Sequence, residues 1–287
     1  MKAGGCAVLF TLMTAGAAVA GPASGTVKTD KGTISPKQAV GYVIRDQRNA
    51  RTTEIELLLT EVPVDAAALR DQLDPHVVAI NFQELRDHNY LLLWVKPDGT
   101  VSMNATYSKT MTQYINDTVG GLKAELTTNT PTKVEGRIYS PSPLKTFDGP
   151  TYTIDVKFSA DVIPALTGTP MPAGGGDAGK ALTTFWTAIT KKDWAGMKAG
   201  LSPNQLARFD NDYDTPAEKA SSASSILTAR LGLNKMKIGG GMLINPTTAV
   251  LEVESDSFGT RVLSLVMMVK PGATWQWEET LRAGNLR

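Results

Sequence analysis

The chain has 287 residues, 42% hydrophobic and 20% charged, with 29 Lys and Arg against 28 Asp and Glu. That length allows about two domains with sizeable cores, and a near-neutral balance without any run of Lys and Arg argues against a nucleic-acid binder. The one cysteine, Cys6, excludes a disulfide framework.

Lys2, the apolar stretch from Ala7 to Met13 and the small residues Ala18-Val19-Ala20 read as a signal peptide over residues 1–20, cut near Ala20. The apolar stretch is far short of the roughly 20 residues that span a bilayer, so no transmembrane anchor is expected. Cleavage removes Cys6, which rules out thiolate nucleophiles and Cys-ligated zinc. It also removes Lys2, one of the 29 basic residues, leaving these equal in number to the 28 acidic ones. Cys6 precedes the apolar stretch, which argues against a lipid-attachment role. The expected location is the bacterial periplasm or the cell exterior.

Short runs of β-branched and alternating residues follow: Val40 to Ile44, Thr53 to Thr60, Tyr90 to Val95, Val101 to Tyr107, Leu122 to Thr127, Lys133 to Tyr139 and Tyr152 to Phe158. Strands of this number and length predict an Ig-like β-sandwich over residues 26–163. Lys96-Pro97-Asp98-Gly99 predicts a hairpin turn, since Pro presets φ and Gly accepts a positive one. One short helix is expected over Ala66 to Leu73. Arg45, Arg48 and Arg51 read as a solvated strand edge.

Residues 164–177, from Pro164 through Gly174-Gly175-Gly176, are rich in Pro and Gly and lack apolar periodicity, which reads as an interdomain linker. The periodicity then becomes helical. Ala181, Leu182, Phe185, Trp186 and Ile189 form one stripe, continued by Trp194, Met197 and Leu201 beyond a turn at Lys192-Asp193. Thr215-Pro216 opens a third helix with Ala220, Ile226, Leu227 and Leu231 as buried positions and Gly232 as its stop. Met236 to Ile244, Thr248 to Glu254, Arg261 to Val269 and Thr274 to Glu279 read as a strand meander.

Phe185 and Trp186 on the first helix, the break at Lys192-Asp193-Trp194 and the closing Thr274-Trp275-Gln276-Trp277-Glu278 resemble the cystatin-like, nuclear-transport-factor-2-like (NTF2-like) superfamily. The resemblance covers residues 178–282 and implies helices on a curved antiparallel sheet. Such a sheet forms a cone that is a pocket in some members and filled or used for dimerisation in others. No residue matches a catalytic position of the superfamily, so none is carried over. The front half resembles exported β-sandwich domains in general. The expected fold class is therefore mainly β plus α+β.

Gly174-Gly175-Gly176-Asp177-Ala178-Gly179-Lys180-Ala181 matches two phosphate-loop patterns. No leading strand is evident and Ala181 stands where a magnesium-binding hydroxyl belongs, so the run reads as a flexible linker before a helix. Asp210-Asn211-Asp212-Tyr213-Asp214 opens like a calcium loop, but Thr215 and Ser221 replace the required Gly and Glu, which leaves an interhelical loop. His76 and His88, the only imidazoles, read as surface residues. Asp155 and Asp161, or Glu252 and Glu254, would serve acid–base chemistry only if folding gathered them in a cleft. Strand alternation makes Glu252 and Glu254 a same-face solvent pair first.

No catalytic or metal-ligating set is identified, and no cofactor is expected. Trp186, Trp275 and Trp277 are the candidate ligand-binding residues, as the lining of an apolar cone cavity. The functional expectation is a non-catalytic exported binding or protein-interaction module of the cell envelope, with an unknown protein or a small apolar ligand as partner and a homodimer possible. The alternative is a small apolar-ligand-binding protein or a cofactor-independent enzyme using the cone cavity of the carboxy-terminal domain, the enzyme being favoured if two carboxylates cluster in a deep pocket.

Overall fold

A computed structural model describes residues 20–286 except 47, 108–111, 118–120, 146–150, 232–233 and 258. The expected signal peptide, apart from Ala20, and the helix stop at Gly232 lie outside the described residues. The described residues are mainly β, with 50% strand and 24% helix.

The first half contains β1 (Gly21–Thr29), β2 (Gly32–Ile34), β3 (Gln38–Asp46), β4 (Asn49–Thr60), β5 (Tyr90–Val95) and β6 (Val101–Tyr107). It continues through β7 (Thr112–Asp117), β8 (Lys123–Thr130), β9 (Lys133–Tyr139), β10 (Leu144–Lys145) and β11 (Thr151–Ile163). Six of the seven runs expected as strands lie within this set, and the seventh, Leu122 to Thr127, begins one residue before β8. The strands form one 11-stranded sheet with the order β7-β6-β5-β4-β3-β1-β11-β9-β8, antiparallel except where β11 meets β3. The sheet curls until its two halves share a core. Leu57, Leu59, Leu91, Leu93 and Met103 from one half and Val134, Ile138, Ile154 and Val156 from the other are buried in one cluster. These positions alternate along their strands, as period-two geometry requires. The β5–β6 turn forms as expected: Gly99 has φ +83, its N–H donates to the Lys96 carbonyl, and Asp98 accepts from Thr100 N at 2.8 Å.

The helix expected over Ala66 to Leu73 is instead a 3₁₀ turn at Ala66–Leu69 followed separately by α1 (Pro75–Ile80). Asp65 caps the turn and Asp74 caps the helix, accepting from Val77 N at 3.2 Å with Pro75 in the first helical turn, so the two acidic caps split the segment. This segment covers the outer face of β3, β4 and β5. Its Leu69, Ala79 and Leu85 are buried against Val40, Leu58 and Leu92 of the strands.

The expected linker is not free coil. Thr169–Met171 forms β12, which pairs along the edge of a second, 5-stranded sheet, β12-β13-β14-β15-β16. The other four strands are β13 (Asn234–Asn245), β14 (Thr248–Ser257), β15 (Thr260–Val269) and β16 (Gln276–Asn285). Between β12 and β13 lie α2 (Gly176–Lys191), α3 (Trp194–Gly200), α4 (Pro203–Asp212) and α5 (Pro216–Leu231). The α2–α3 break falls at Lys192-Asp193, with Asp193 capping α3. Thr215 and Glu218 cap α5 reciprocally, Thr215 N donating to Glu218 Oε2 at 3.0 Å and Glu218 N to Thr215 Oγ1 at 3.2 Å. The run from Asp210, expected as a loop, instead begins in the last turn of α4, and Asp210 pairs with Lys219 at 2.7 Å. Helix α4 escaped the sequence reading because Ser202-Pro203, its cap and first residue, is followed by a largely polar stretch.

Leu182, Phe185, Ile189, Met197 and Leu227 of the helices bury one face of the second sheet, including Leu251, Val253, Val266, Met268 and Trp277. The opposite face supplies Val250, Leu263, Leu265 and Ala283, which pack against Ala50 and Leu73 of the first half. One face of the second sheet is thus covered by helices and the other is covered in part by the first half. Among the described residues no helix is long and apolar enough to cross a membrane.

Candidate functional site

Alternation along β4 sends Glu54, Glu56 and Leu58 to the outer face of the first sheet, opposite the core positions Ile55, Leu57 and Leu59. Leu58 lies under the helical cover, Glu56 lies at its border with 0% exposure, and Glu54 is half-buried in the open cleft beyond. Strand register places Tyr42 and Trp94 directly beside Glu56, and Ile44 beside Glu54. The Asp74 cap and Pro75 start α1 so that His76 reaches the same carboxylate.

Glu56 is saturated. Tyr42 donates its hydroxyl to Oε1 at 2.5 Å, His76 Nδ1 is 2.7 Å from Oε1, and Trp94 Nε1 donates to Oε2 at 2.7 Å. A buried carboxylate is costly unless its lost water is replaced by donors of this kind. The bond to Glu56 raises the pKa of His76 despite the opposing effect of burial. Burial, reinforced by Glu56, pushes the Tyr42 hydroxyl well above its ordinary range, and burial also raises Asp74. The expectation of His76 as a surface residue is corrected: its side chain is 30% exposed and is tied to Glu56.

The cleft between the two sheets has a volume of about 780 Å³, within the range of small-molecule sites. Glu54, Glu56, Trp94 and His76 line one side; Leu166, Met242, Val250, Leu265 and Leu281 line the other. Pro164 and Ala165, from the expected linker, also border it. Arg45 crosses beside the cleft, donating to the Ala50 carbonyl at 3.1 Å and lying 3.3 Å from Glu252 Oε1. Arg51 approaches Glu254 at 3.9 Å, and Glu254 also meets Arg261 at 2.6 Å. Arg48 and Arg51 are exposed, as expected of a solvated edge, but Arg45 is partly buried, and Arg45 and Arg51 meet Glu252 and Glu254, expected to face solvent, across the two sheets. Partly exposed pairs of this kind contribute about 0–1 kcal/mol each, so they set register more than they hold the sheets together.

Glu54 has no hydrogen-bond or ion-pair partner among the described residues. Burial, then the Asp46 charge, raise its pKa to about 7, outweighing Lys96 and Arg48. It can therefore hold or release a proton near neutrality. Because the pKa is raised on folding, the stability tied to its protonated form is complete below about 4.5 and is lost as pH rises through about 7. Glu54→Gln is expected to raise the melting temperature at pH 8 and to leave it almost unchanged at pH 4.5. An equal effect at both values, read by thermal denaturation, would contradict that environment for Glu54.

The three candidate tryptophans do not share a cavity. Trp277, expected to line a cone, is 1% exposed, stacks on Phe185 at 6.0 Å between ring centroids and donates to Thr280 Oγ1 at 2.8 Å. It fills the core, because the α2 stripe is pressed directly onto the sheet. Trp275 precedes β16 and lies half-buried, with Lys270 Nζ 5.9 Å from its ring centroid. Trp186 is half-buried and lines a second, smaller hollow with Gly174, Gly179, Lys180, Thr183, Met236 and Ile238.

The glycine-rich run is preceded by a strand after all, but β12 is a short antiparallel edge strand, unlike the buried parallel strand of a phosphate loop. Packing accounts for its glycines. Gly174 has φ +83, and a Cβ on Gly179 would lie 1.8 Å from the Gly174 carbonyl oxygen. Among the described residues no group of three or more His, Cys, Asp or Glu is placed to hold a metal ion.

Sequence reasoning missed Glu54, Glu56 and His76. A signal was present in Ile55-Glu56-Leu57-Leu58-Leu59, where a carboxylate interrupts a run apolar on both faces and must be buried with partners. No protein-family model matches the sequence, and no curated protein or solved structure matches it either.

Proposed function

We propose that this chain is an exported binding protein of the bacterial cell envelope whose ligand site is the cleft between its two sheets. On this reading residues 1–20 are the export signal. Residues 26–163 form a sandwich-like domain built from a curled sheet, and residues 178–282 form an NTF2-like domain, with 164–177 connecting them. The observation that carries the reading is the cleft of about 780 Å³ with an apolar wall facing a carboxylate-bearing one. Small-molecule sites combine these features, with apolar area for affinity and a few polar groups for orientation. The ligand site thus moves from the cone of the second domain, which is packed with core side chains, to the sheet face turned away from the helices.

Nile red, a neutral apolar dye, tests the site. Its fluorescence is expected to rise with wild-type protein and to lose most of that rise in Leu281→Trp, which fills the cleft from a half-buried position. Unchanged uptake in that variant, with loss in Trp186→Ala, would assign the ligand to the smaller hollow and overturn the reading.

A cofactor-independent enzyme in the same cleft is a second reading, favoured by Glu54 titrating at about 7 near the His76–Glu56 pair. It ranks second because the two carboxylates are not equivalent: Glu56 is engaged by its three donors, so only Glu54 is available for proton transfer. Native mass spectrometry of protein isolated from its source separates the readings. A retained ligand of a few hundred daltons supports binding, and a ligand recovered chemically altered after incubation supports catalysis.

A further inference from the structure

The polar groups of the cleft are unequally engaged. Arg45 is held by Glu252 and the Ala50 carbonyl, Glu56 by its three donors, and Asp74 by the first turn of α1. Asp46 accepts from Arg48 N at 2.8 Å. Glu54 alone among the lining carboxylates has lost part of its water and gained no partner among the described residues. Arg48 and Lys96 also line the cleft, yet neither lies within ion-pair distance of it. Opposite lies the apolar surface of Met242, Val250, Leu265 and Leu281, which brings no charge.

We infer that the ligand of this cleft is an organic cation with an apolar arm, such as a primary amine on a hydrocarbon chain, with its ammonium on Glu54 and its arm on the Met242–Leu281 wall. The inference rests on the reading of the cleft as a ligand site. A partly desolvated carboxylate gains more from a cation that arrives with little water than an exposed one does. Trp94, half-buried on the same side of the cleft as Glu54, adds an aromatic ring to the lining, a group to which a cation is attracted. A neutral ligand would offer ionised Glu54 at most a hydrogen bond without charge, and an anionic one would be repelled by it.

The charged groups that act on Glu54 are Asp46, Arg48, Glu56 and Lys96; Arg45, Asp74 and His76 line the same cleft, Arg45 paired with Glu252 of the second sheet, and the lining residues of the second sheet itself are apolar. Binding a cation favours ionised Glu54, so affinity should increase about tenfold between pH 6 and pH 8. His76, whose pKa the Glu56 bond raises, also titrates, and Glu54→Gln isolates its share as the residual slope.

Calorimetry with octylammonium, 1-octanol and octanoate tests the inference on wild-type protein and on Glu54→Gln. Octylammonium is expected to bind wild type at pH 8 at least about tenfold more tightly than 1-octanol, and within about threefold of it in Glu54→Gln. Equal affinity of the amine and the alcohol for wild type would overturn the cationic inference and leave the cleft as a ligand site. Tightest binding of octanoate would overturn it in favour of Arg48 and Lys96 as the polar anchors. Failure of all three compounds while Nile red still binds would also overturn the inference alone. Failure of the dye as well would remove both it and the reading beneath it.

Discussion

Glu56→Ala is expected to destabilise the protein by about 3–5 kcal/mol, as for breaking one side of a buried charged network. The substitution leaves Tyr42 Oη, Trp94 Nε1 and His76 Nδ1 without their acceptor, and the carboxylate they share is fully buried. The orphaned groups tie β3, β4, β5 and α1 together, so the loss should reach every strand bordering the cleft. Tyr42→Phe, which removes one donor and leaves two, should cost about 1 kcal/mol. Denaturant unfolding at pH 7 reads both, and a cost below about 1 kcal/mol for Glu56→Ala would show that the network contributes little to the fold. The pH dependence has a definite sign. His76 has a raised pKa in the folded state, so its contribution is complete below about 6.5 and is lost as pH rises through the folded value. Wild-type protein should lose stability over that interval on account of His76, and Glu56→Ala should lack that component.

Trp277→Ala is the second large effect, about 3–5 kcal/mol, the usual cost of emptying a large aromatic from a packed core. Its ring lies between α2 and β16 against Phe185, and its carbonyl accepts from Ser202 N, so it joins the helical layer to the sheet through side chain and backbone. The indole N–H bond to Thr280 is lost as well. Trp277→Phe should cost markedly less, since the stacking partner stays filled, and Trp186→Ala at a half-buried position should cost less again. Thermal unfolding of the three variants orders them; a cost for Trp186→Ala equal to that for Trp277→Ala would contradict this distribution of the core.

Strand positions were legible because burial on one face imposes an alternation that persists over a few residues. Val101 to Tyr107 and Lys133 to Tyr139 coincide with β6 and β9. The polar strands β7 and β8 are the sheet edges, and of these only β8 carried enough pattern to be read in part. The helices α2 and α3 were legible through a continuous apolar stripe, while α4 lacked one. The Pro and Gly content of residues 164–177 suggested a linker, but not the pairing of Thr169–Met171 with β13, which depends on a partner strand far along the chain.

By itself the sequence determined the class of element along most of the chain, the turn at Pro97-Asp98-Gly99 and the position of the α2–α3 break, because propensity, periodicity and capping act over a few residues. Only the tertiary structure decided the site. Glu56 meets His76 at a separation of 20 residues and Trp94 at 38, and Arg45 meets Glu252 at 207. Whether a carboxylate is solvated, saturated with donors like Glu56, or left without a partner among the described residues like Glu54 depends on what the rest of the chain brings to it. The cleft exists because one face of the second sheet is set against the outer face of the first, a choice made by packing between apolar surfaces that carry no local signature of their partner.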